Sequence, residues 1–358
     1  MADHRLPKRR QSGIALLAAL IFMLATVLTM GNIFYSHQLE VTRLTKSLHG
    51  DQALLLALSA ENWARQMLSS DQDDRQVDKL LENWAIAVPV LPVEGGFLRG
   101  CLQDLQSRVN LSSFASYDSE SLAAEMQNEA NGLARLWLNL LRLNELTYNE
   151  ASVATIIDWV DPDNTQISEW GAEQATYDAN RTGIMVANAA LTDVEELTVM
   201  RGYGPVSVAL LKPWLAALPR PTTINLNTAP EQILLALGGE SPQVFAGYVM
   251  SERPFYSLDT FYEGLSSAMD LELERIEALW PEDLIGISSD YFRLQLQVTL
   301  GESQLQIESV LGRFNRNEPV IVSRTVNVIP ALAGRLDGNE DLLDPAQQGF
   351  CEHLESSS

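Results

Sequence analysis

The densest chemistry in the chain lies between Asp158 and Glu196, where nine side chains are acidic and one, Arg181, is basic. The run Asp158-Trp159-Val160-Asp161-Pro162-Asp163-Asn164 sets Asp161 and Asp163 on either side of Pro162, with Asn164 adjacent, and Gly171-Ala172-Glu173 follows. Hard oxygen donors crowded into an irregular loop suit Ca2+, which takes about 6–8 of them. The twelve-residue spacing of an EF-hand is missing. Asp and Asn also cap helices and close solvated turns without an ion, and spacing alone leaves both readings open.

Other chemistry is sparse. The histidines are His4, His37, His49 and His353, so none lies between residues 50 and 352, where the folded part must be. That removes the commonest general base and transition-metal ligand. No G-x-S-x-G, Walker loop or C-x-x-C occurs. The expectation is a protein that is not an enzyme. Cys101 and Cys351 are the two cysteines. In an oxidising compartment they could pair, and two unpaired thiols are the alternative.

The run Leu197-Thr198-Val199-Met200-Arg201-Gly202-Tyr203-Gly204-Pro205-Val206 reads helix, Gly-x-Gly, helix, and resembles a helix-hairpin-helix. Arg253-Pro254-Phe255 lies near a second hairpin-like turn. In DNA-binding members of that class the turn amides meet a phosphate beside Lys or Arg. Here Arg201 and Lys212 are the only bases from Thr182 to Leu218, within a chain of net charge −23. Such a surface repels nucleic acid and anionic lipid. The hairpin therefore reads as scaffold without nucleic-acid binding. A membrane-anchored helix-hairpin-helix nucleic-acid-binding protein is the alternative.

These residues need elements to hold them, and the first is the N-terminal rod. Lys8-Arg9-Arg10-Gln11-Ser12-Gly13 precedes an apolar run from Ile14 to about Phe34, with no formal charge from Ile14 to Gln38. About 20 such residues cross a bilayer as a helix, and the basic flank places the N-terminus inside. A plain anchor, a cleaved secretory signal and a prepilin leader all begin this way. Arg10 to Leu17 resembles a type IV prepilin site, which implies cleavage between Gly13 and Ile14 and methylation of Ile14. Loss of residues 1–13, with four bases and one acid, would take the net charge from −23 to −26. Ordinary pilins carry Glu at the fifth mature position, where the carboxylate meets a neighbouring subunit's N-terminal ammonium; here the residue is Ala18. A subunit with no neighbour above it would leave such an acid unpaired in the membrane, so an apolar residue suits the end of a fibre.

Ala53, Leu56, Ala57, Ala60, Trp63, Ala64, Met67 and Leu68 recur at three- and four-residue steps, with Gln52, Ser59, Glu61, Arg65 and Gln66 on other faces. The same helix should run to about residue 68, with Gly31 and Gly50 as weak points. A short helix is expected at 77–87, ended by Pro89 and Pro92. Residues 97–105 read as a strand. Strict alternation in Phe292, Leu294, Leu296, Val298 and Leu300 marks a second strand, and 305–311 and 320–328 complete a meander. Between them the pattern is helical: 119–143, 148–160, 193–199, 206–218, 229–237, 242–251, 258–263 and 271–279. The fold class is α+β: a pilin-like long helix packed on an antiparallel sheet, with a large all-α domain inserted between strands.

The order of these features resembles the K-type minor pseudopilins of type II secretion systems. The resemblance rests on the leader, Ala18, the partial match Asp104-Leu105-Gln106-Ser107-Arg108-Val109-Asn110-Leu111, the D-W-x-D-x-D run with G-A-E, and Asn225-Leu226-Asn227-Thr228-Ala229-Pro230. It implies Ca2+ in the α-domain with Asp161, Asp163 and Glu173 as ligands, and Asp158 and Asn164 as secondary candidates. It implies a leader at 1–13, a membrane-spanning part at 14–36, and the first part of the pilin-like domain at 37–110. The inserted domain is expected at 111–285, closing strands at 286–330 and a polar tail at 331–358, flexible unless Cys351 ties it down. The implied role is at the tip of a periplasmic pseudopilus, promoting its assembly and the export of folded proteins. Implied partners are the I- and J-type minor pseudopilins, other pseudopilus subunits, prepilin peptidase and the inner membrane.

Overall fold

A computed structural model describes residues 12–70, 77–86, 88–127, 131–181, 183–314 and 318–330. The leader before Ser12 and the tail after Pro330 lie outside the described residues. Helix α1 (Ser12–Ser70) runs for 59 residues without a break at Gly31 or Gly50. At 1.5 Å per residue it is about 88 Å long. Its first half is exposed, whereas Ala53, Ala57, Ala64 and Leu68 are buried. That stripe is narrower than the expected one. Trp63 is 46% exposed, and Glu61, expected on a polar face, is 1% exposed. Glu61 is drawn in by an ion pair with Arg324 at 2.8 Å.

The stripe rests on a five-stranded antiparallel sheet in the order β1 (Val88–Val93), β2 (Gly96–Asp104), β3 (Tyr291–Leu300), β4 (Ser303–Gly312) and β5 (Val320–Pro330). Leu98, Leu102, Leu294, Leu296, Val298 and Ile307 form one core with the helix stripe. The expected helix at 77–87 is absent from the described residues there, which form turns, and β1 was not foreseen. Pro89 and Pro92 end no helix. They lie in an edge strand, where a missing N–H costs no ladder bond. The turns bury Trp84, which meets Phe292 edge-on at 5.0 Å.

The inserted domain leaves the sheet after β2 and returns at β3. Its helices are α2 (Ser119–Gln127), α3 (Leu133–Leu143), α4 (Glu150–Val160), α5 (Gln174–Ala179), α6 (Pro205–Leu211), α7 (Glu231–Leu237), α8 (Pro242–Glu252), α9 (Leu258–Met269) and α10 (Leu273–Leu279). The single helix expected at 119–143 is two, with Gly132 capping the second. The helix expected at 206–218 stops at Leu211, and Pro213 carries the chain into a 3-10 turn and an extended pair. The domain is helical but not wholly so. Val109–Asn110 pairs in parallel with Leu215–Ala216, and Ile224–Asn225 with Ile285–Gly286. Its core is aromatic, with Phe114, Trp137, Phe245, Phe261 and Trp280 each at most 1% exposed.

A buried polar knot joins domain to sheet. Asp104, at the end of β2, accepts from Thr228 Oγ1 (2.5 Å), Ser289 Oγ (2.6 Å), Asn225 Nδ2 (3.1 Å) and the Gln106 N–H (2.7 Å). Burial still raises its pKa. Asn227 accepts from the Phe255 N–H at 2.7 Å and donates to the Phe255 carbonyl at 2.9 Å, bracing the turn between α8 and α9. The two motifs beginning at Asp104 and Asn225 are therefore the two sides of one joint.

Candidate metal centre

Helix α4 starts at Asn149, whose side chain accepts from the Ser152 N–H at 3.1 Å. It ends at Asp161, whose φ of −72° and ψ of 158° are those of a residue held extended before proline. The last turn carries Asp158 into full burial. Asp158 Oδ1 accepts from the Ile167 N–H at 2.8 Å, and Oδ2 from the Ala172 N–H at 2.6 Å. The carboxylate thus ties the acidic loop to the helix end. Gly171 leaves it room, because a Cβ there would stand 2.1 Å from Asp158 Oδ2.

Asp158, Asp161 and Glu173 each bring a carboxylate oxygen within 4.8 Å of the others, and all three are buried. Asp161 Oδ1 and both oxygens of Glu173 have no hydrogen-bond partner. Glu173 holds the N-cap position of α5 yet makes no side-chain cap bond. Capping therefore does not account for it. Burial, then the charges of Asp163 and Asp158, raises Asp161 to about 6. Burial, then Asp158 and Asp161, raises Glu173 to about 7. Asp158 is also raised, chiefly by burial. Buried carboxylates left unpaired are costly. An oxygen-only donor set of this kind fits Ca2+.

Asp163 stands outside this trio. It is exposed, its Oδ1 accepts from the Thr165 N–H at 2.6 Å, and its carbonyl accepts from Asn188 Nδ2. Asn164 Oδ1 accepts from the same Nδ2 at 3.2 Å. These two side chains shape the turn. Asn188 itself is new: its Oδ1 is buried without a partner, and its φ is 44°. Nothing in its local sequence sets it apart, since its role comes from a contact 24 residues away.

The hairpin backs this loop. Asp193 and Glu196 form a capping box on a 3-10 turn, Val194–Val199. Gly202 has φ of 91°, as a tight turn requires, while Gly204 is extended. The Arg201 N–H donates to Tyr177 Oη at 3.1 Å, and its Nη1 to the Gly171 carbonyl at 3.4 Å. Lys212 pairs with Glu195 at 2.5 Å. Both hairpin bases are thus engaged within the protein.

The chain is 31% identical over 324 residues to the type II secretion system protein K of Aeromonas hydrophila, covering 88% of this chain and 97% of that one. It belongs to the type II secretion system protein K family. The family model described as "Type II secretion system (T2SS), protein K" matches residues 107–220, which hold the acidic loop and the hairpin. Protein K of Pseudomonas aeruginosa is 26% identical over 328 residues, covering 88% of this chain and 93% of that one. Protein K of Klebsiella pneumoniae is 27% identical over 326 residues, covering 88% and 96%. Among solved structures, a chain of the GspK–GspI–GspJ complex from the enterotoxigenic Escherichia coli type 2 secretion system matches with a TM-score of 0.65. At 21% identity, over 80% of this chain and 99% of that one, this likeness speaks for the fold. The chain is thus a minor pseudopilin of type II secretion, a structural component of that machinery.

The other site residues of the chain lie on α1 and β2. Gly13, Ile14 and Ala18 belong to the unbroken α1. The segment Ile14–Ser69 is long and apolar enough to cross a membrane, fitting a single-pass anchor with a soluble bulk. Cys101 is buried in β2 and disulfide-bonded. Cys351 lies outside the described residues.

Proposed function

We propose that this chain caps the type II secretion pseudopilus, promoting fibre assembly and the export of folded proteins across the outer membrane. Ala18 carries the reading. An apolar residue where fibre subunits hold an acid removes the need for a neighbour above. The inserted domain of nine helices among the described residues supports it, being broad for a subunit buried mid-fibre. The partners are the I- and J-type minor pseudopilins, with which the similar Escherichia coli chain forms a complex. Prepilin peptidase cuts between Gly13 and Ile14, and Ile14 is methylated. The cut chain stays in the inner membrane by residues 14–36, with its bulk in the periplasm.

The acidic loop holds Ca2+ as a structural ion. Asp158, Asp161 and Glu173 supply carboxylates, with Asp163 and Asn164 at the loop's outer side. The ion supplies positive charge to a set of buried acids, and the protein's part is to fix them by Asp158 and Gly171.

Co-expression of the membrane-extracted chain with its I- and J-type counterparts tests the tip assignment. The expected result is a stable complex and an intact mass beginning at methylated Ile14. A chain that starts at Met1, or that incorporates along the fibre in proportion to the major subunit, would refute it.

A further inference from the structure

Two buried carboxylates stand on either side of Ser289 at the joint between sheet and inserted domain. Asp78 is 1% exposed and Asp104 is 4% exposed. The Ser289 N–H donates to Asp78 Oδ2 and its hydroxyl to Asp104 Oδ2. Arg313, just after β4, gives Nη2 to both oxygens of Asp78. Arg108 feels the charge of Asp104, but its Nη2 bonds to Gln103 Oε1 at 3.3 Å. Lys79, next to Asp78 in the chain, lies 3.9 Å from Glu82. Asp290, just before β3, feels the charges of Arg313 and Arg220. Two acids thus meet one directly bonded cation. Like carboxylates buried in one site do not both ionise readily, and the pair tends to hold a proton.

The hydrogen bonds point to Asp104 as the holder, since Arg313 favours the ionised form of Asp78. Asn225 Nδ2 has two hydrogens and three acceptors: Ser289 Oγ at 2.9 Å, Asp104 Oδ2 at 3.1 Å and the Asp78 carbonyl at 3.2 Å. The knot therefore has more acceptors than hydrogens. Thr228 Oγ1, 2.5 Å from Asp104 Oδ2, has a second acceptor in the Asn225 carbonyl at 3.4 Å. A proton on Asp104 Oδ2 can be donated to Thr228 Oγ1 while the Thr228 hydroxyl turns to that carbonyl. No heavy atom has to move. Burial acts in the same direction, outweighing the four donors to Asp104 and raising its pKa.

We propose that this knot is a proton-operated latch: Asp104 takes a proton from water as the inserted domain seats on the sheet, donates it to Thr228, and on losing it to water at higher pH leaves two charged carboxylates that loosen the joint. No bond but that of the proton forms or breaks. The folded chain holds this proton where the unfolded chain, with an ordinary aspartate near 3.8, has released it. The latch is therefore fully set below that value and released as pH rises through the folded one. Two backbone bonds cross the joint and report on it: the Asn225 N–H to the Gln106 carbonyl and the Asp78 N–H to the Ile287 carbonyl, both at 2.9 Å.

The test uses the full chain extracted from membranes. Hydrogen exchange at Asn225 and Asp78, corrected for the intrinsic rate at each pH, is followed from pH 5 to pH 9. In wild type, protection should fall by about tenfold per pH unit above the titration midpoint, as release of one proton requires. In Asp104→Asn, uncharged at every pH, it should stay flat. Infrared spectra at pH 6 should show a protonated-carboxyl band that is weaker in Asp104→Asn. Flat protection in wild type overturns the latch, and an equal band or an unchanged pH response in Asp104→Asn overturns the assignment of the proton to Asp104. Thr228→Val keeps the shape and serves if Asp104→Asn does not fold. It removes a donor that favours the ionised form, so the midpoint should rise by about one pH unit. An unmoved midpoint overturns the latch.

Discussion

Asp78 and Arg313, 235 residues apart, are held together inside the joint between sheet and inserted domain. Arg313 Nη2 lies 2.6 Å from both oxygens of Asp78. Asp78 Oδ2 also accepts from the Ser289 N–H at 2.7 Å, and Ser289 Oγ donates to Asp104 Oδ2 at 2.6 Å. Ser289 therefore stands between two buried carboxylates, with Arg313 paired to one of them. Burial outweighs the pull of Arg313 and lifts Asp78 to about 6.

Replacing Arg313 with Met should cost about 3–5 kcal/mol, because it leaves a buried carboxylate without its cation. Asp78→Leu combined with Arg313→Met should recover much of that loss, since neither charge is then stranded. Thermal unfolding of the membrane-extracted chain measures both. If the double variant is as unstable as the single one, the hydrogen bonds to Ser289 matter more than the ion pair.

The acidic loop makes a pH prediction. Asp161 and Glu173 titrate in the folded chain near 6 and 7, above their ordinary values of 3.8 and 4.5. Between about pH 4 and 7 the folded state therefore binds more protons than the unfolded one, and stability falls as pH rises through that window. In chelator, melting temperature should drop from pH 5 to pH 7.5 more in wild type than in Glu173→Gln. Calcium at a hundred times its dissociation constant should then add about 2.7 kcal/mol at pH 7.5. Its affinity should weaken below pH 6, where protons compete for the same oxygens. Equal pH slopes in the two proteins, unaltered by calcium, would remove the ion from the loop.

Much of this was legible in the sequence, for reasons that differ by element. The β3 and β4 strands alternate because one face is buried under α1, so period two survives in the residues themselves. The loop and hairpin motifs are contiguous and could be found by spacing. β1 could not, because Pro89 and Pro92 are tolerated only by its edge position, a property of the sheet. Glu61 looked like a surface acid until Arg324 arrived from 263 residues away. Within the loop, the family resemblance favoured Asp163 over Asp158. In the fold, the helix end turns Asp158 inward while the proline turn leaves Asp163 exposed. Asn188 carries no local signal at all.

Gly171→Ala should behave as a loop mutation and a metal mutation together. Its Cβ would lie 2.1 Å from Asp158 Oδ2, so either the carboxylate or the chain at 171 must move. Overpacking of this kind costs about 1–3 kcal/mol. Calorimetry should show calcium affinity falling with it, because Asp158 fixes the residues on both sides of the site. Gly202→Ala, strained by a φ of 91° but in the turn behind the loop, should lower stability while leaving calcium affinity nearly unchanged. Equal loss of affinity in both variants would mean that hairpin and loop are one unit.

Ala18→Glu tests the place of this subunit in the fibre. An acid in the membrane-spanning part of α1 costs about 3 kcal/mol at mid-membrane unless a cation answers it. Within a fibre the answer comes from the N-terminal ammonium of the subunit above. The proposed tip position has no such subunit, and there the new carboxylate would stay unpaired. Secretion of exported proteins into the medium should fall in a strain carrying Ala18→Glu, while intact mass still shows cleavage before Ile14. Ala18→Gln, of similar size without the charge, should secrete near the wild-type level. Normal secretion with Glu at this position, together with its recovery along the length of sheared fibres, would place the subunit inside the fibre.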